Sequence, residues 1–184
     1  MHNTRYFTFL LLTLLSLQGL IVGCTPSMDT STPAVPTPDS TPQPVETIDY
    51  HNDEYGFSFS LPASWKGYSI GIDKWEGHTS DSLKGDVVVE QGPMISIVHP
   101  SSTPQQPRQD IPIMVFTIQQ WDHLQRGDWL IGAAPIGPLE LGRNSGYVFA
   151  LPARYNYAFL EGWEEVEQIL SDHPMRTFEP SVPP

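Results

Sequence analysis

This chain of 184 residues predicts an α+β fold dominated by antiparallel sheet, and three observations lead there. Phe57, Phe59 and Leu61 alternate with Ser58 and Ser60, and Tyr68, Ile70 and Ile72 alternate with Ser69 and Gly71, which is the period of half-buried strands. β-Branched and apolar runs follow at Asp86 to Glu90, Met94 to Val98 and Ile111 to Phe116. Only two stretches, one after Thr117 and one through Leu160 to Leu170, carry apolar residues at helical spacing.

The elements follow in order from the amino terminus. Arg5 and the apolar run Phe7 to Val22 form an export signal over residues 1–23, too short for a membrane span. The run ends in Leu20-Ile21-Val22-Gly23-Cys24, which resembles the lipobox of bacterial lipoproteins. That resemblance implies cleavage before Cys24 and lipid on its sulfur: a thiolate attacks the lipid donor to form a stable thioether, and small Gly23 leaves the peptidase room. Cys24 is the only cysteine, so no internal disulfide can form. More than one acyl chain gives a stable anchor, whereas a single chain gives marginal attachment.

Residues 24–47 carry six prolines among Ser, Thr and small polar residues, which cannot form a core and read as an extended stalk. A single domain is expected over residues 48–178, and a loose tail over 179–184. Within the domain a polar, Gly-containing loop is expected from Asp73 to Asp86, and Gln91-Gly92-Pro93 separates the next two runs. A polar, Pro-rich loop follows from His99 to Asp110. Thr117-Ile118-Gln119-Gln120 matches a capping box, opening a helix whose inner face holds Ile118, Trp121 and Leu124. Arg143-Asn144-Ser145-Gly146 suits a tight turn between Leu139–Leu141 and Tyr147–Leu151. The last helix puts Leu160, Trp163, Val166, Ile169 and Leu170 inward and its glutamates outward and early, and Pro174 ends or bends it. Trp65, Trp121 and Trp163 are expected in or beside the core.

Tyr55-Gly56-Phe57-Ser58-Phe59-Ser60-Leu61-Pro62-Ala63-Ser64-Trp65 resembles the opening of PsbP-like domains, in which Gly-Phe leads into an alternating strand and then Pro and Trp. The resemblance implies an antiparallel sheet flanked by helices, used for binding or assembly and not for catalysis. No partner-binding motif of the photosynthetic members is present.

Charge excludes one class of partner. The whole chain carries −12, and residues 24–184 keep all 21 acidic groups while losing only Arg5, for a net −13. Such a surface repels phosphate backbones, so no nucleic-acid role is expected. Gly67-Tyr68-Ser69-Ile70-Gly71 matches the nucleophile elbow of α/β-hydrolases, but no helix is predicted after Ser69 and alternation assigns it to a strand. The histidines lack the helical spacing of a zinc site, and Asp73, Glu76, Asp81 and Asp86 lack calcium-loop spacing, so neither metal nor cofactor is expected. Trp75, Arg154, Tyr155 and Tyr157 are candidates for sugar or peptide contacts.

The expected function is therefore a lipid-anchored module on the extracytoplasmic face of the cell membrane. It would bind or assemble with a protein partner in the cell envelope without catalysing a reaction. The alternative is a small extracytoplasmic serine hydrolase using Ser69.

Overall fold

A computed structural model describes residues 46–79, 87–132 and 136–181. The signal peptide, Cys24 and all but the last two residues of the stalk lie outside these, as do Asp81 and Asp86. Two antiparallel sheets and two helices make up the described fold. The smaller sheet has the order β1 (Thr47–Asn52), β2 (Phe57–Pro62), β9 (Met175–Thr177). The larger has six strands in the order β6 (Trp129–Leu130), β3 (Ser69–Thr79), β4 (Val88–Val98), β5 (Ile111–Thr117), β8 (Tyr147–Leu151), β7 (Leu139–Arg143). Helices α1 (Ile118–Arg126) and α2 (Trp163–Ser171) complete it, so the α+β class with a mainly antiparallel sheet holds.

The alternation of β2 does what it predicts. Phe57, Phe59 and Leu61 are buried and join Trp65, Ile95, Ile97, Ile111, Ile113, Val115 and Phe149 in one core between the sheets, closed by Val166 and Ile169 of α2. Ser58 and Ser60 face away from it. The other face of the large sheet carries a second core of Trp75, Met114, Phe116, Trp129, Val148 and Ala150, covered by Trp121 of α1. Strands β5 and β8 are buried on both faces, which explains why Ile111–Phe116 reads as a continuous apolar run.

The capping box forms as expected. The Thr117 hydroxyl accepts from the Gln120 amide at 3.1 Å, and the Gln120 side chain accepts from the Thr117 amide at 3.0 Å. The turn before β8 is held by Asn144, whose side-chain oxygen accepts from Gly146 and Tyr147 at 3.0 and 2.9 Å.

Four expectations are corrected. First, the polar segment after Ile72 continues β3 through Thr79, and Trp75 within it is buried. Second, Gly92 and Pro93 do not divide two runs but lie inside β4, opposite Trp75 and Lys74. Pairing with β5 begins only at Met94, so Pro93 occupies a stretch with one neighbouring strand, where its missing N–H is tolerated. Third, Trp163 is half-buried and belongs to neither core; its ring packs edge-on against Phe159. Fourth, Glu179 and Ser181 are not loose. Ser145 donates its hydroxyl to the Glu179 carboxylate, and Ser181 donates its amide and hydroxyl to the Asp53 carbonyl at 2.9 and 2.8 Å.

Residues 178–181 thereby strap the β1–β2 turn to the β7–β8 turn. Asn144 Nδ2 donates to the carbonyls of Tyr55, Gly56 and Phe178 at 2.8, 3.1 and 2.9 Å. Gly56 sits at φ +77°, where a Cβ would come within 2.4 Å of the Phe178 carbonyl oxygen, so only glycine fits this crossing.

Candidate functional site

Ser69 opens β3, pairs with Val98 and is exposed. The chain continues from it as ten more residues of strand, so the strand-to-helix turn of a nucleophile elbow does not form at this serine. Among the described residues no histidine hydrogen-bonds to it. The alternation of Tyr68, Ile70 and Ile72 therefore prevails over the Gly-x-Ser-x-Gly match, although only Tyr68 and Ile70 reach the core and Ile72 remains 70% exposed.

A cleft of about 590 Å³ lies between α2 and the small sheet. Its floor is apolar, formed by Leu61, Pro62, Ile169 and Pro174. One wall is the stripe Glu165, Gln168 and Asp172, which helical geometry brings to one face of α2. Opposite stand Thr47, Ser60 and Arg176 from the three strands, with His173 at the mouth in a left-handed conformation at φ +52°. Gln168 Nε2 donates to Ser171 Oγ and Asp172 Oδ1 at 3.2 and 3.3 Å, bracing its wall. An apolar floor of this size with opposite charges on facing walls can take an extended ligand that carries both polar and apolar groups.

A polar latch holds α2 against the 99–110 loop. Arg108 pairs with Glu161, and its second terminal nitrogen lies 3.7 Å from Glu165. Glu165 also accepts from the Ser64 hydroxyl at 2.8 Å. Gly162 has φ +83°, which favours glycine, and a Cβ there would lie 2.8 Å from Arg108 Nη2, so the guanidinium would have to shift. Beside the latch His99 is buried edge-on against Trp65, and its Nδ1 accepts from the Ser101 amide at 3.1 Å. Burial, and then the nearby Arg108 guanidinium, push the His99 imidazole below its ordinary pKa. The ring is packed in a corner beside the main core.

The other candidates scatter. Trp75 is core, Tyr155 packs half-buried against the main core, and Tyr157 is 78% exposed. Asp73 and Glu76 lie on β3, and Glu76 pairs with Lys74 at 2.6 Å. Among the described residues no three His, Cys, Asp or Glu side chains gather as metal ligands, and no helix is long and apolar enough to cross a membrane. Sequence reading missed the cleft, because its walls come from segments more than a hundred residues apart. It also missed Phe159, 65% exposed at φ +47°. No family model matches the chain, and no curated protein or solved structure matches it either.

Proposed function

We propose that this protein is a lipoprotein held to the extracytoplasmic face of the cell membrane through lipid on Cys24. Its PsbP-like α+β domain acts there as a non-catalytic binding or assembly module for an envelope protein. The observation that carries the binding role is the cleft between α2 and the small sheet, with its apolar floor and two charged walls. The anchor is supported by the apolar run ending in Gly23-Cys24 and by the proline-rich stretch after it, which spaces the domain from the surface. The Tyr55–Trp65 segment supports the PsbP-like reading, since its strand and terminal Trp65 build the core beneath the cleft.

A photo-crosslinking amino acid placed at Gln168 in intact cells tests the module. The expected result is a discrete crosslinked protein that disappears when Arg176→Glu, at an exposed position lining the cleft, reverses the charge there. Unchanged capture by that variant excludes the cleft. Cys24→Ala tests the anchor separately, and the expected result is loss of the protein from the membrane fraction. A variant that still partitions with detergent in phase separation rules out lipid on Cys24 as the sole attachment.

A further inference from the structure

The loop between β8 and α2, with the first residue of α2, carries aromatic rings, Tyr157, Phe159 and Trp163, that join neither core. It runs through successive tight turns, with amides of Tyr155, Tyr157 and Phe159 donating to the carbonyls three residues earlier. Tyr157 is 78% exposed and Phe159 65% exposed, and Trp163 stands half-buried with its ring 5.3 Å from that of Phe159 at 82°. Phe159 is held at φ +47°, a left-handed conformation that is costly for a bulky side chain. Burial in a core does not offset that cost here, since the residue stays 65% exposed with Trp163 as its aromatic neighbour. The backbone cost therefore supports display of the side chain and not packing.

Acidic residues flank these aromatics in the chain. Glu164 is exposed in the first turn of α2, Glu161 remains 69% exposed beside Arg108, and Glu167 is exposed with one hydrogen bond from Asn156 at 2.9 Å. The loop's one cation, Arg154, is outnumbered. An aromatic centre with a charged rim is the anatomy of a protein-binding hot spot. The sign of the rim, on a chain of net −12, selects the partner.

We infer that Tyr157, Phe159 and Trp163 form a second docking surface, separate from the cleft, for a Lys- or Arg-bearing segment of a protein partner. Its cations would lie over the ring faces while Glu164, exposed in the first turn of α2, pairs with them.

The test uses the full chain in phosphatidylcholine nanodiscs, titrated with hexa-arginine amide and followed by tryptophan fluorescence. Saturable binding is expected, weakening with salt and absent for hexa-glutamate. The Tyr157→Ala/Phe159→Ala double variant should lose affinity at least about tenfold. Phe159→Gly should lose affinity as well while melting at the same temperature or higher, because glycine relieves the positive φ. Unaltered affinity in both variants would place the peptide elsewhere on the acidic surface and overturn the inference. So would a marked drop in melting temperature for Phe159→Gly, which would make the ring structural. If brominated phosphatidylcholine quenches fluorescence without peptide, and the quenching is lost in Trp163→Phe, the rings contact lipid and the inference fails.

Discussion

Trp75 lies flat over Gly92 on the neighbouring strand, so close that a Cβ at Gly92 would come within 2.5 Å of its indole ring. The seat is repeated one strand over, where a Cβ at Gly77 would meet Trp129 at 2.4 Å. The two indoles stack at 5.6 Å and 4°, and Trp75 Nε1 donates to the Val115 carbonyl at 2.8 Å. Both glycines exist to accept rings.

Gly92→Ala should therefore destabilise the domain although it adds only one methyl group. Displacing a buried indole whose polar atom is already satisfied falls in the range of core overpacking, about 1 to 3 kcal/mol. Denaturant unfolding checks this, and a midpoint unchanged from the parent would mean that Trp75 has room to move.

Trp65 and Trp163 should differ sharply. Trp65 is 1% exposed within the main core, so Trp65→Ala should cost about 3 to 5 kcal/mol. Trp163 lies outside both cores, and Trp163→Ala should cost well under half of that. Equal losses in thermal melting would return Trp163 to the core.

Ser69 should behave as an ordinary strand hydroxyl. A serine-directed fluorophosphonate probe is expected to leave the purified protein unlabelled, and Ser69→Ala should melt normally. Stoichiometric labelling abolished by that substitution would revive the hydrolase alternative.

Stability should fall in alkali because of buried phenols. Burial, with Glu54 close by, raises the Tyr55 pKa to about 12, and burial also raises Tyr50, Tyr147 and Tyr155 above the ordinary 10.0. Below pH 10 these phenols are neutral in both states and favour neither. Above it the unfolded chain ionises first and binds fewer protons, so stability declines as pH rises through the raised values. Melting curves should drop above pH 10, with tyrosinate absorbance appearing together with unfolding. Full ionisation at pH 10 in a protein that is still folded would contradict the burial of these rings.

Local signals were legible in the sequence, and distant pairings were not. The Thr117–Gln120 box, the Asn144 turn and the alternation of β2 each depend on residues within a few positions of one another, and all three form. Strands β1, β6 and β9 were not foreseen, because they are short or polar and become strands only by pairing with partners remote in sequence or by closing a sheet edge. Trp75 was misread because Asp73, Lys74, Glu76 and Gly77 around it look like a loop. The missing clue was cross-strand: an indole in one strand opposite a glycine in the next. For the same reason the cleft was invisible, since Leu61 and Ile169 meet only in three dimensions.

The strap of residues 178–181 and the β2–β9 pairing set a timetable for the molecule. Phe57, Ser58 and Phe59 find their partners in Thr177, Arg176 and Met175, more than a hundred residues later in the chain. A ribosome delivering this chain from its amino end must release nearly the whole domain before the small sheet can close. Until then the β2 edge stays open and the floor of the cleft lacks α2, so the growing chain has no finished cleft. The delay follows from which strands pair, since a contact between remote segments cannot form before both have been made.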